Sequence, residues 1–213
     1  MLKDFTDCLP VNSAHDMLQF LFQKEPDILV DWGWVYHCLA EPLLAKKDCA
    51  SGCAFVQIEG KAVGECCGID VTSIGHRVEL VDEIEASFLS KHCDDKTGLL
   101  IRNFYDVDDC MWLCAPHKCN RYARPFWCRS YPFLPVVDRA GKVYGVYTYR
   151  TGENDPTSCP VQWDEVTPAW KEQFVQAWEH VLQSVSGRNF VQIFLLDVLD
   201  EKVYRIPNYS EAE

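Results

Sequence analysis

Apolar and polar positions recur along this chain with two different periods, and the changes between them mark out helical and extended stretches. Over residues 13–24, Met17, Leu18, Phe20, Leu21 and Phe22 fall at the spacing of one helix face, behind a serine able to cap the first turn. A second helix is expected over residues 31–46. Together they make an N-terminal helical segment, residues 1–48, in which Trp32, Trp34 and Tyr36 are assigned to packing. Between Cys49 and Cys67, small and polar residues surround the apolar run 55–58 and the turn signal Gly60-Lys61, which predicts a ligand-bearing loop containing a hairpin. A helix is expected around residues 78–92. Residues 110–132 are dense in Cys, Arg, Pro and aromatics and follow neither period, which predicts irregular backbone held by something other than regular hydrogen bonding.

Residues 133–137 and 142–149 flank Asp138-Arg139-Ala140-Gly141, so a strand, a tight turn and a second strand are expected, with the glycine free to take positive φ. Thr167-Pro168 opens a helix carrying Trp170, Phe174, Trp178, Val181, Leu182 and Val185 at helical spacing, and Gly187 is expected to close it. Residues 190–198 and 203–206, joined at Asp200-Glu201, read as a final strand pair. The fold class expected is α+β: a small irregular cysteine-rich metal-binding core with β-hairpins over residues 49–165, flanked by helices. Residues 166–213 are expected to pack on it as a helix and strand pair.

Composition narrows the function. A chain of 213 residues with 48% hydrophobic and 24% charged residues can bury its own core, and no apolar stretch approaches a membrane span, so no membrane partner is expected. The net charge of −12 repels a polyanion, so no nucleic-acid partner is expected. The opening MLKDFTDCLP lacks a basic segment followed by an apolar one, which points to the cytoplasm. Twelve cysteines then need a reason, because a reducing compartment does not maintain structural disulfides and stray thiols are oxidation liabilities. Metal ligation is the leading one.

The cysteines come in groups: Cys49-x3-Cys53, the vicinal Cys66-Cys67, and Cys110-x3-Cys114-x4-Cys119-x8-Cys128, with Cys159 after the hairpin and Cys8, Cys38 and Cys93 apart. Short spacings let two thiolates on a turn reach one ion at about 2.3 Å without straining the chain. Lys118, Arg121, Arg124 and Arg129 lie among Cys114, Cys119 and Cys128, with no acidic residue from Met111 to Val137. Four thiolates around a divalent ion leave an excess of negative charge, which such side chains would offset.

The segment CNRYARPFWCRSYPF, with Gly64-Glu65-Cys66-Cys67 upstream, resembles the diagnostic part of the YkgJ family of zinc- or iron-chelating domains, some of them described as iron–sulfur proteins. The resemblance implies a ligand set drawn from Cys49, Cys53, Cys66, Cys67, Cys110, Cys119, Cys128 and Cys159, with Cys114 as an alternative to Cys110. It makes Arg124 and Arg129 motif positions, expected to act behind the ligands. The metal implied is zinc or iron, an iron–sulfur cluster included. No protein partner is identified.

Two other readings stand beside this one. An enzyme resembling the flagellin lysine N-methylases would use a similar cluster, although no glycine-rich strand-to-helix fingerprint for the methyl donor occurs. An exported disulfide-rich interaction protein would pair the same cysteines instead. His117, between Cys114 and Cys119, is a further candidate ligand or base. Asp106, Asp108 and Asp109 are read as a solvated loop.

Overall fold

A computed structural model describes residues 2–5, 9–23, 28–39, 55–58, 61–64, 77–81, 83–92, 98–102, 110–114, 125–148, 159, 161–185, 187–192 and 195. In chain order the elements are β1 (Lys3–Asp4), α1 (Val11–Leu21), α2 (Trp32–Cys38), β2 (Phe55–Ile58), β3 (Lys61–Gly64), β4 (Arg77–Val81), α3 (Glu83–His92), β5 (Gly98–Arg102), β6 (Cys110–Cys114), α4 (Phe126–Ser130), β7 (Phe133–Val137), β8 (Val143–Thr148) and α5 (Pro168–Val181). The class is mixed α+β. Among the described residues no helix is long and apolar enough to cross a membrane. The chain divides into two compact units, one of residues 1–29, 133–149 and 178–213, the other of residues 30–132 and 150–177.

The first unit is built on a three-stranded sheet in the order β1-β8-β7, with β1 parallel to β8 and β7 antiparallel to it. The β7–β8 hairpin forms where the pattern places it. Asp138 Oδ1 accepts from the backbone N–H groups of Ala140 and Lys142, each at 2.9 Å, and Gly141 takes φ 77°. That φ is the left-handed region, where a Cβ is strained. Every residue of β7 is buried, and α1 packs on it with Ala14, Met17, Phe20 and Leu21 inward. The expected Ser13 cap is not used: the helix starts two residues earlier, where extended Pro10 offers its carbonyl to Ala14 N–H at 3.0 Å, and Ser13 is buried within it. The helix stops at Leu21 rather than Lys24, and residue 24 lies outside the described residues.

The C-terminal expectation is corrected in two places. Thr167 does cap α5, its Oγ1 accepting from Trp170 N–H at 3.3 Å. The helix then ends at Val181, before Gly187. Ser184 breaks it: its hydroxyl donates to Val181 O at 2.8 Å and accepts from Gly187 N–H at 3.0 Å, which starts a new helical stretch. Gly187 is therefore a packing glycine, since a Cβ there would meet the Val181 carbonyl. Residues 190–192 and 195, expected in a strand, are helical, and 203–206 lie outside the described residues. Arg188, 5% exposed, joins the ends of two helices by donating to Leu182 O and Gln23 O at 2.9 Å each, with its guanidinium 4.8 Å over the Phe20 ring.

In the second unit α2 begins where a helix is expected, and Asp31 caps it, accepting from Trp34 N–H at 3.0 Å. The described part of that helix ends at Cys38, and residues 40–46 lie outside. The hairpin expected between Cys49 and Cys67 is present as β2 and β3, Phe55 facing Gly64 and Ile58 facing Lys61. Residues 78–81, expected in a helix, instead belong to β4, and 83–92 are helical. The stretch 110–132 was expected to be irregular. It contains β6, the central strand of the antiparallel sheet β4-β6-β5, and α4, while 115–124 lie outside the described residues. Nearer the end of this unit, Trp163, Trp170 and Phe174 form an aromatic cluster with centroids 5.3–6.4 Å apart.

Two substitutions test the first unit. Gly141→Ala places a Cβ at positive φ and against the Phe20 ring, so it should destabilise by about 2–4 kcal/mol in urea unfolding. Arg188→Met leaves the buried Leu182 carbonyl and the part-buried Gln23 carbonyl without this donor and should cost about 1–3 kcal/mol.

Candidate functional site

The cysteines are unevenly divided between the units. Cys8 belongs to the first, and the other eleven of the twelve fall in the residue ranges of the second. Of the predicted site residues, Cys49, Cys53, Cys66, Cys67, Cys119 and Arg124 lie outside the described residues, as do His117 and the acidic residues at 106, 108 and 109. Cys110 opens β6, Cys114 closes it, Cys128 and Arg129 sit on α4, and Cys159 is half-buried outside regular structure. Among the described residues no three cysteine, histidine or carboxylate groups converge as a metal cage.

Backbone register constrains how Cys110 and Cys114 can act together. Cys110 stands opposite Val81 and Arg102, and Cys114 opposite Arg77 and Gly98. Successive residues of a strand alternate between faces. Cys110, Trp112 and Cys114 therefore share a face with Arg77, Glu79, Val81, Gly98, Leu100 and Arg102, while the other face is wholly apolar: Val78, Leu80, Leu99, Ile101, Met111 and Leu113. Both cysteines and every charged residue of the sheet are on one side. Four residues of extended chain set the backbones of Cys110 and Cys114 about 13 Å apart, whereas two thiolates on one ion are within about 4.6 Å of each other. The two cannot serve the same single ion.

Around Cys128 the side chains are defined. Glu85 lies on α3, on the same stripe as Ala86 and Leu89, and is 5% exposed while its neighbour Ile84 is 43% exposed. A buried carboxylate needs donors, since an uncompensated one costs several kcal/mol. Two come from elsewhere in the unit: the Tyr36 hydroxyl of α2 donates to Glu85 Oε1 at 2.7 Å, and the Phe126 backbone N–H at the start of α4 donates to the same oxygen at 2.6 Å. Phe126 opens a helix whose Pro125 supplies no side-chain cap, so the carboxylate satisfies an N–H that the helix itself cannot. Arg129 lies over the Tyr36 ring, 4.1 Å from its centroid, and Nη1 reaches the Tyr36 carbonyl at 3.4 Å. Trp32 meets Phe126 edge-on at 5.7 Å, and Phe88 tilts against Tyr36 at 5.0 Å.

Cys128 is bracketed by these contacts. The residue two before it is held by Glu85, Trp127 is buried, and the residue after it is laid on Tyr36. Burial holds the Tyr36 hydroxyl well above the usual tyrosine range, the Glu85 charge and hydrogen bond add to this, Arg129 opposes it, and Cys128 adds a smaller push. Cys38, buried at the end of α2, has its thiol pushed up by desolvation, which favours an inert, protonated sulfur.

Tyr36 and Glu85 were not singled out from the sequence as chemistry. The one available signal was Glu85 falling four residues before Leu89 on the apolar stripe of its helix, and it was masked because residues 78–81 were read as part of the same helix. No protein-family model, curated protein or solved structure matches the chain.

The raised Tyr36 gives a pH dependence with a definite sign. A group that holds its proton more tightly when folded supports the fold below its unfolded value, about 10 for tyrosine, and that support is lost as pH rises past it. The urea midpoint should therefore fall above pH about 10, and fall less steeply in Tyr36→Phe. Equal slopes would mean that Tyr36 is not the group responsible.

Proposed function

We propose that this chain is a metal-binding protein in which cysteines of the second unit ligate zinc or iron, the iron in mononuclear or iron–sulfur form, in the manner that the likeness to YkgJ proteins suggests. The observation that carries this reading is the gathering of eleven of the twelve cysteines in the ranges of a single compact unit, together with the basic residues Lys118, Arg121, Arg124 and Arg129. Sulfur donors of this kind select soft or borderline ions.

The ligands proposed are Cys49, Cys53, Cys66, Cys67, Cys119, Cys128 and Cys159, with either Cys110 or Cys114. The residues described fit such a role in part. Cys128 and Cys159 are half-buried, within reach of an ion yet partly shielded, whereas Cys38 is buried, its thiol held protonated by desolvation, and is not proposed as a ligand. The sheet face that holds Cys110 and Cys114 also holds Arg77 and Arg102, which would offset thiolate charge in the same way as the arginines beside Cys128.

Elemental analysis and an absorption spectrum of protein purified without oxygen test the reading. Stoichiometric zinc or iron is expected. Cys128→Ser and Cys119→Ser should lose most of it, Cys38→Ala and Cys8→Ala none. Metal-free protein with the cysteines linked as disulfides would overturn the proposal. Removal of the metal by a strong chelator should also raise amide exchange in β6 and α4 before it does so in the β7–β8 hairpin, because metal binding contributes directly to folding where it occurs.

A further inference from the structure

We infer that Glu85, Tyr36 and Arg129 form a positioning device for Cys128, fixing the short helix that presents this cysteine to its metal. The inference rests on the metal-binding reading for its purpose, and on the geometry of the second unit for its substance.

The helix α4 has five residues, too few to be stable on its own. It lacks a side-chain cap, and its first N–H would be an orphan without Glu85 Oε1 at 2.6 Å. The same oxygen is held from the other side by the Tyr36 hydroxyl at 2.7 Å, so the carboxylate cannot swing away from α4 without abandoning two donors in a buried place. At the opposite end of the helix the Arg129 guanidinium lies over the ring of that same tyrosine, 4.1 Å from its centroid. Tyr36 thus fixes α4 twice, through its hydroxyl by way of Glu85 and through its ring by way of Arg129. Cys128 lies between these two points of attachment.

This assigns separate tasks to the parts. Tyr36 and Glu85 set where the helix begins, and Arg129 sets how it is rotated about its axis. Rotation of one residue about a helix is about 100°, enough to turn a ligand away from its ion, so both restraints are needed. The expectation from the sequence places Arg129 behind the ligands without naming what it touches. Its position over the Tyr36 ring gives it an orienting role, for which a planar guanidinium is suited and an ammonium is not.

The test uses the full chain, apo and reconstituted with cobalt(II), whose thiolate charge-transfer band reports sulfur ligation. Tyr36→Phe and Glu85→Leu should each weaken cobalt binding about ten- to a hundredfold, the range found when outer partners of a metal ligand are removed. They should also lower the charge-transfer intensity per bound ion. Glu85→Gln keeps an oxygen that can accept both hydrogen bonds and should restore near wild-type affinity and spectrum, which a role in charge alone would not. Arg129→Lys should fall with the damaging pair.

Alkylation of Cys128 in the metal-free protein, followed by mass spectrometry, separates the two ideas. Loosening α4 by losing a charge-assisted hydrogen bond should raise its rate about tenfold in Tyr36→Phe. Wild-type protein that holds neither zinc nor iron when purified without oxygen and binds no cobalt, with the increase still present in Tyr36→Phe, would remove the metal reading and keep the positioning. Variants with wild-type affinity, spectrum and alkylation rate would overturn the positioning itself.

Discussion

A carboxylate taken out of water governs the arrangement of the cysteine-rich unit. Glu85 is almost fully enclosed, and a charge in that place is tolerated only if the fold brings hydrogen-bond donors to it. Those donors come from residues 36 and 126, far apart in the chain, so satisfying one oxygen fixes where three helices meet. The aromatic side chains of Trp32, Tyr36, Phe88 and Phe126 then fill the space around the polar centre at ring separations of 5.0–6.2 Å. Burial of such rings supplies most of the free energy, while the carboxylate supplies the specificity, since the rings alone could pack in other ways.

The first unit is organised differently. Its sheet and α1 meet through aliphatic and aromatic side chains, and the buried Arg188 guanidinium donates through Nε and Nη1 to carbonyl oxygens at helix ends, its Nη2 having no hydrogen-bond partner. There the polar group closes backbone valences that the helices leave open. In the second unit the polar group comes first and the backbone is brought to it.

Elements were legible in the sequence where their geometry is set by near neighbours. The hairpin of residues 133–148 could be read because Asp138 and Gly141 encode the turn within four residues, and α5 because Thr167, Pro168 and the four apolar positions Trp170, Phe174, Trp178 and Val181 agree on one helix. The strands Arg77–Val81 and Cys110–Cys114 could not. Each is five residues long, and their alternation becomes visible only when they are set side by side, where the charged residues line up on one face. The apolar run after Arg188 was read as strand from its Val, Ile and Phe content, yet Ser184 and the glycine three residues on restart a helix, and tertiary packing overrides the propensity. Around Cys128, that cysteine and Arg129 were legible in the sequence by residue type and spacing. Its supports were not, because nothing local distinguishes a glutamate that accepts from a distant tyrosine from one that faces solvent.

The pairing of Lys3 with Gly145 and Asp4 with Val146 has a consequence in time. A chain emerges from the ribosome at about 5–20 residues per second, so β1 waits on the order of ten seconds before its neighbour in the sheet exists. Only then can the two strands join, and they join in parallel, the slower kind of pairing to establish because the whole intervening chain must close as a loop. The hairpin β7–β8, made of residues close in sequence, is complete as soon as it is synthesised and offers a finished edge. The amino terminus is thus the first part of the sheet to be made and the last to be incorporated.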